Sequence, residues 1–123
     1  MRLELLSFVL VFVGGGAGSV SRYTLGLLLQ PLSPRFPLAT LAANALACLV
    51  LGFVIGLQLK GHPGEYRRLL MATGFCGGFS TFSTFTAETW NLFQAGAALT
   101  AVANIALSLL ISLFCLLLGM KLA

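Results

Sequence analysis

Four predominantly apolar stretches, each near the ~20 residues needed to cross the hydrocarbon of a bilayer, occupy most of this 123-residue chain. Short segments rich in proline, glycine and charge separate them. With 59% hydrophobic and only 8% charged residues, the chain falls outside the soluble range. No length remains for a soluble domain, so residues 1–123 read as one all-α membrane domain. Its helices are expected at about 3–29, 38–59, 69–93 and 97–118. The mixed charge of Met1-Arg2-Leu3-Glu4, followed by an apolar run of spanning length, argues against a signal peptide. Cys48, Cys76 and Cys115 lie inside apolar spans at no zinc-like spacing and read as buried thiols. Nothing in the sequence supplies an ATP site, a metal cluster or a nucleophile–base pair, which argues against an enzyme.

The third apolar stretch is the unusual one. Gly74-Phe75-Cys76-Gly77-Gly78-Phe79-Ser80-Thr81-Phe82-Ser83-Thr84-Phe85 places three glycines and four hydroxyl residues in a membrane helix. Glycine loses more backbone freedom on ordering than any other residue and weakens a helix. A helix that breaks in lipid frees backbone N–H and C=O groups, which must be buried in protein or line a polar cavity. Broken membrane helices are therefore candidate ion sites, and the sequence predicts a break near residues 77–80. Phe79, Phe82 and Phe85 recur every third residue and would share a helical face; Thr81, Thr84 and Glu88 line another. The rings read either as packing or as a row of positive ring edges turned to a small anion.

Polar residues in the other spans are few and patterned. Gly14, Gly18, Arg22 and Gly26 fall every fourth residue on helix one, and small residues at that spacing let helices approach closely. A cation within a span, as Arg22 is, faces protein or water; it reads as an anchor or as part of a vestibule rim. Three prolines in residues 30–37 make a loop. On helix two, Thr40 and Asn44 share one face, and a buried Asn amide needs partners. That partner is either another helix or a permeating ion. Gly52 and Gly56 form a close-packing pair. His62, the single histidine, sits in a polar loop with no neighbouring ligand type. Glu88 is a lone carboxylate near a span end, solvated, capping polar groups nearby, or part of a proton relay. Thr100, Asn104, Ser108 and Ser112 form a polar stripe along helix four. The stripe implies either helix–helix hydrogen bonding or a pore wall.

These residues resemble a known family. The run GFCGGFSTFSTF is similar to the signature of the small bacterial fluoride channels called Fluc or CrcB. The glycine-rich first helix ending in Arg22-Tyr23, the Thr40-Leu41…Asn44 segment and the four-span length fit the same family. The resemblance implies a passive fluoride channel in the bacterial inner membrane that relieves fluoride toxicity. It further implies an antiparallel, dual-topology homodimer with two pores and a structural Na⁺ at its centre, bound by the backbone carbonyls of Gly77 and Ser80. Asn44, Phe82, Ser83, Thr84 and Phe85 would line the fluoride pathway, with Ser108 and Ser112 on its wall and Arg22 at the vestibule. Two positions depart from the family's pattern: Ala39 where glycine is usual, and Ser80 where threonine is usual.

Charge placement bears on topology. Arg2, Lys60, Arg67, Arg68 and Lys121 lie on the side of the termini, against Arg35 and Arg22 on the other, which favours cytoplasmic termini over balanced dual insertion. The alternative function is a proton-coupled small four-helix exporter. Such exporters depend on a carboxylate within helix one, where this chain has only Glu4 at the very start. A non-conducting structural membrane protein would explain the glycines but neither polar cluster.

Overall fold

The computed structural model describes residues 2–123, with side chains described from Glu4 onward. Helix α1 spans Arg2–Leu29 and ends in a single 3₁₀ turn, Gln30–Leu32. Helix α2 spans Leu38–Leu59. Helix α3 covers residues 65–79: a short α-helical start at Glu65–Arg67, a π-helical stretch at Arg68–Cys76, and an α-helical end at Gly77–Phe79. After two extended residues, α4 runs over Phe82–Gln94 and α5 over Ala98–Leu122. Among the described residues there is no strand. Three stretches are long and apolar enough to cross a bilayer unbroken: Glu4–Leu32, Leu38–Leu59 and Ala98–Leu122. The interrupted pair α3–α4 lies between the last two.

The expected span at 38–59 matches α2, and the first is α1 extended by a residue. The third begins earlier than expected, at Glu65, and the fourth continues to Leu122. Glycines with positive φ make two of the turns possible: Gly61 (φ 82°) closes α2, and Gly96 (φ 78°) joins α4 to α5. At the second, Ala97 N–H reaches back to the Leu92 carbonyl at 2.9 Å and Gly96 N–H to that of Phe93 at 3.1 Å.

Two backbone seams hold the helices. The larger pairs α2 with α5, and the other sets α1 against α3. Lipid tails are as apolar as leucine, so helix association in a bilayer depends on close packing and hydrogen bonds rather than on apolar burial. In the α1–α3 seam a Cβ at Gly18 would collide with the Phe75 carbonyl, and one at Gly78 with the Gly15 carbonyl. In the α2–α5 seam a Cβ at Gly52 would strike the Leu116 backbone, and one at Gly119 that of Leu49. Gly74 and Gly78 therefore serve helix contact, and the helix runs through them intact. Gly26 is different: no atom lies within 4 Å of where its Cβ would be, and it borders a cavity instead. Ala43, Ala47, Cys76 and Phe79 form the small apolar core where α2 meets α3. Large side chains such as Phe8, Phe12 and Leu99 face outward, as spans in lipid require.

Candidate functional site at the broken helix

The interruption lies at Ser80 (φ −78°, ψ 157°) and Thr81 (φ −152°, ψ 116°), both in ordinary extended backbone. The break expected near residues 77–80 thus falls at the end of that range and one residue beyond: Gly77 and Gly78 are helical, and the two hydroxyl residues after Phe79 are not. The reason is local. Ser80 and Thr81 have side chains that can replace helical hydrogen bonds, whereas Gly78 is fixed by the α1 seam.

The polar groups released by the break have partners. Asn44 clamps Thr81 from α2: its Oδ1 accepts from Thr81 N–H at 2.7 Å, and its Nδ2 donates to Thr81 C=O at 3.3 Å. An amide nitrogen carries two N–H groups, of which this bond takes one. Thr81 Oγ1 caps α4 by accepting from Thr84 N–H at 3.2 Å, and lies 3.3 Å from Ser83 Oγ. Ser80 donates through N–H (3.0 Å) and through Oγ–H (2.7 Å) to the Cys76 carbonyl. Arg22 Nε donates to the Gly78 carbonyl at 3.3 Å, so this intramembrane cation caps the end of α3.

Gly77 and Ser80 are among the residues whose carbonyls lose their helical donors in this exchange. In a continuous helix, Gly77 C=O would accept from Thr81 N–H, and Ser80 C=O from Thr84 N–H. The first donor is taken by Asn44 and the second by the Thr81 hydroxyl. Gly77 is exposed, with open space where a side chain would be. It shares a shallow surface depression with Ser80, Ala47 and Cys48.

A cavity of about 540 Å³ opens on the other side of the break, lined by Arg22, Arg35, Thr40, Thr81, Thr84 and Glu88 among others. The structure thus brings Thr81, Thr84 and Glu88 together with Arg22. Thr40, almost fully buried, donates its hydroxyl to Glu88 Oε1 at 2.8 Å, linking α2 to α4 beyond the Asn44 clamp.

The phenylalanines divide. Phe79 is 6% exposed and stacks on Phe75 at 5.3 Å between centroids, whereas Phe82 is 80% exposed. The expectation that Phe79 shares a face with Phe82 and Phe85 is therefore corrected, because the extended residues between them rotate α4 away from the α3 register. Phe82 and Phe85 remain a pair, with centroids 5.9 Å apart and planes at 40°.

The middle of the stripe on α5, Asn104 and Ser108, is buried inside the subunit, and Thr100 is half-buried. Ser108 Oγ donates to Asn104 Oδ1 at 3.3 Å, Asn104 Nδ2 to Thr89 Oγ1 at 3.0 Å, and Thr89 Oγ1 to the Phe85 carbonyl at 2.8 Å. The chain of bonds ends directly behind Phe85. Ser112, further along the same helix, is half-buried. Thr89 was not singled out by the sequence; its position four residues beyond Phe85 was the available signal. Among the described residues no group of His, Cys, Asp and Glu is arranged to hold a metal ion, so any cation here would rest on backbone oxygen.

Comparison with known proteins decides the family. Residues 9–120 match the family described as CrcB-like protein, Camphor Resistance (CrcB). The chain belongs to the CrcB-like family. Among its CrcB relatives, the "Fluoride-specific ion channel FluC" of Pyrococcus furiosus is 44% identical over 122 residues, covering 98% of each chain. The protein of the same name from Serratia proteamaculans is 42% identical over 119 residues, covering 96% of this chain and 94% of its own. That of Ruminiclostridium cellulolyticum is 41% identical over 122 residues, covering 98% and 94%. A CrcB-like chain with these apolar helices is a multi-pass membrane protein, and its family is one of ion channels rather than enzymes.

Proposed function

We propose that this chain is the subunit of a fluoride-selective channel that lets the anion leave the cytoplasm passively across the plasma membrane. The observation that carries the reading is the mid-span break, with a cavity lined by Arg22, Thr81 and Thr84 beside it and the Phe82–Phe85 pair at the start of the helix that follows. The relatives named for fluoride conduction align over nearly the whole chain and so include every part of that break.

Fluoride holds its water firmly, so a pore must replace that water with donors. The second N–H of Asn44, the hydroxyls of Ser83 and Thr84 and the edges of Phe82 and Phe85 form a series of weak sites, which allow both entry and exit. The Arg22 charge draws anions to the cavity mouth. Ser108 reaches the path indirectly, through Asn104 and Thr89, which hold the Phe85 backbone. Ser112 belongs to the same wall.

The working unit in this proposal is an antiparallel homodimer with two pores. Phe82, exposed on an isolated subunit, then meets a second copy, as do the Gly77 and Ser80 carbonyls. Those carbonyls suit a hard cation: they are oxygens, they have given up their helical donors, and Gly77 leaves the approach open. A structural Na⁺ between two such pairs would supply fixed positive charge in a low-dielectric interior.

Fluoride efflux from liposomes tests the function. With potassium movement clamped by an ionophore and no proton gradient, the protein should pass fluoride rapidly and chloride barely. Strict dependence on a proton gradient would move the chain to the exporter class, and absence of flux from folded protein would reject conduction.

A further inference from the structure

We propose that Glu88 is held as the neutral acid at physiological pH and presents its O–H to the anion in the cavity, as a hydrogen-bond donor on the permeation path. The inference rests on the anion-conducting reading above. It is carried by the asymmetry of the two carboxyl oxygens. Oε1 accepts the hydroxyl proton of Thr40 at 2.8 Å. Oε2 is buried and, among the described residues, without a partner, although Glu88 lines the cavity.

A carboxylate offers about four lone-pair sites, and leaving one of its oxygens, Oε2, buried without a partner is costly. The groups around the cavity do not compensate. From α1 come Arg22, whose Nε is turned to the Gly78 carbonyl, and Tyr23; from the loop before α2 comes Arg35; from α2 comes Thr40. Its own helix adds Thr84 and Asn91, and α5 places no charged or titratable group in the lining. The one salt bridge among the described residues, Arg68–Glu65, lies elsewhere. A negative carboxylate at this point would also repel the anion that Arg22 attracts.

Protonation removes both difficulties. Oε1 remains the carbonyl oxygen that accepts from Thr40, and Oε2 becomes a hydroxyl. Its acceptor is the ion itself, in an O–H···F⁻ bond strengthened by the anion's charge. Hydrogen fluoride is a stronger acid than a carboxylic acid, so the proton stays on Glu88. The permeating species stays F⁻, and no proton is carried with it.

The test is fluoride efflux from liposomes containing the full-length protein, from about pH 6 to about pH 9.5, with leak from protein-free liposomes subtracted. Wild-type flux should fall about tenfold or more as pH rises, because ionisation removes a donor and adds a like charge. Glu88→Gln keeps a donor and an acceptor but cannot ionise, so its profile should be flat. Thr40→Val removes the hydroxyl that favours the charged form and should move the midpoint to higher pH. Infrared difference spectra should show a protonated-acid carbonyl band in wild type at neutral pH that is missing in Glu88→Gln. A flat wild-type profile, an equal fall in Glu88→Gln, or absence of that band overturns the inference. Loss of all flux in a protein that still shows the band would instead overturn the channel reading and leave a neutral Glu88 standing.

Discussion

Asn44→Ala is the sharpest perturbation of the broken helix, because one side chain satisfies both backbone groups of Thr81. The substitution leaves that N–H and C=O in the membrane interior without partners. An unsatisfied buried polar group costs about 1–3 kcal/mol, which gives about 2–6 kcal/mol for the pair. Thr81 also borders the cavity, so water can replace part of the loss, and we expect about 2–4 kcal/mol. Asn44→Asp separates the two bonds. The ionised side chain still accepts from Thr81 N–H but faces the Thr81 carbonyl with a second acceptor; protonated, it regains a donor. Its defect should therefore be large at neutral pH and shrink as the pH is lowered. Equilibrium unfolding in mixed micelles measures the stability, and liposome flux measures the function. If Asn44→Ala unfolded within about 0.5 kcal/mol of wild type, a change ordinary for surface positions, the clamp would not be what holds the break.

Three further outcomes follow from the geometry. Gly18→Leu should abolish the folded subunit, since its side chain meets the Phe75 carbonyl, while Gly26→Ala should be within about 0.5 kcal/mol of wild type; thermal unfolding of the two in parallel checks this. Phe82→Ile should cut fluoride efflux at least about tenfold with little change in unfolding, because the ring is 80% exposed on the subunit and contributes little to its core. Asn104→Ala should cost about 1–3 kcal/mol, as Asn104 is 1% exposed and joins Ser108 to Thr89, and calorimetry or denaturant titration reads that loss.

The helical architecture was legible because bilayer thickness turns span length into a direct signal: residues 38–59 appear in the structure with the bounds read from hydropathy. The break was legible in kind and nearly in position, expected near residues 77–80 and found at Ser80 and Thr81, but the residues that make it were not. Glycine is ambiguous in sequence, since the same residue weakens a helix and allows a neighbour close. Gly74 and Gly78 are used in the second way, which shows only when Gly14, Gly15 and Gly18 are found opposite. The Phe79 misplacement has the same origin, because a three-residue spacing implies a shared face only across unbroken helix. The π-helical stretch at Arg68–Cys76 had no signal at all. Hydrogen-bond register depends on where the flanking contacts pin the chain, and no single residue in it requires the wider turn.

Partners of polar residues were the least accessible from sequence, and they determine what the site is. Thr40 and Asn44 were read as one face of α2, and they do act together, but on two separate points of the third span: Glu88 in α4 and Thr81 at the break. The α5 stripe was legible as a stripe, while its connection through Thr89 to the Phe85 carbonyl was not. The resulting accounting is uneven. Toward the inside of the subunit the Thr81 N–H and C=O, the Thr84 N–H and the Gly78 carbonyl are all paired, so α2 and Arg22 make the break locally stable. Toward the outside, the Gly77 and Ser80 carbonyls and the exposed Phe82 ring have no such support. A bilayer penalises unpaired carbonyls more than water does, so this side needs an occupant that brings charge or donors. On the reading proposed above, that need is what draws two copies and a cation together. The break would then be a structural reason for assembly as well as a route for the ion.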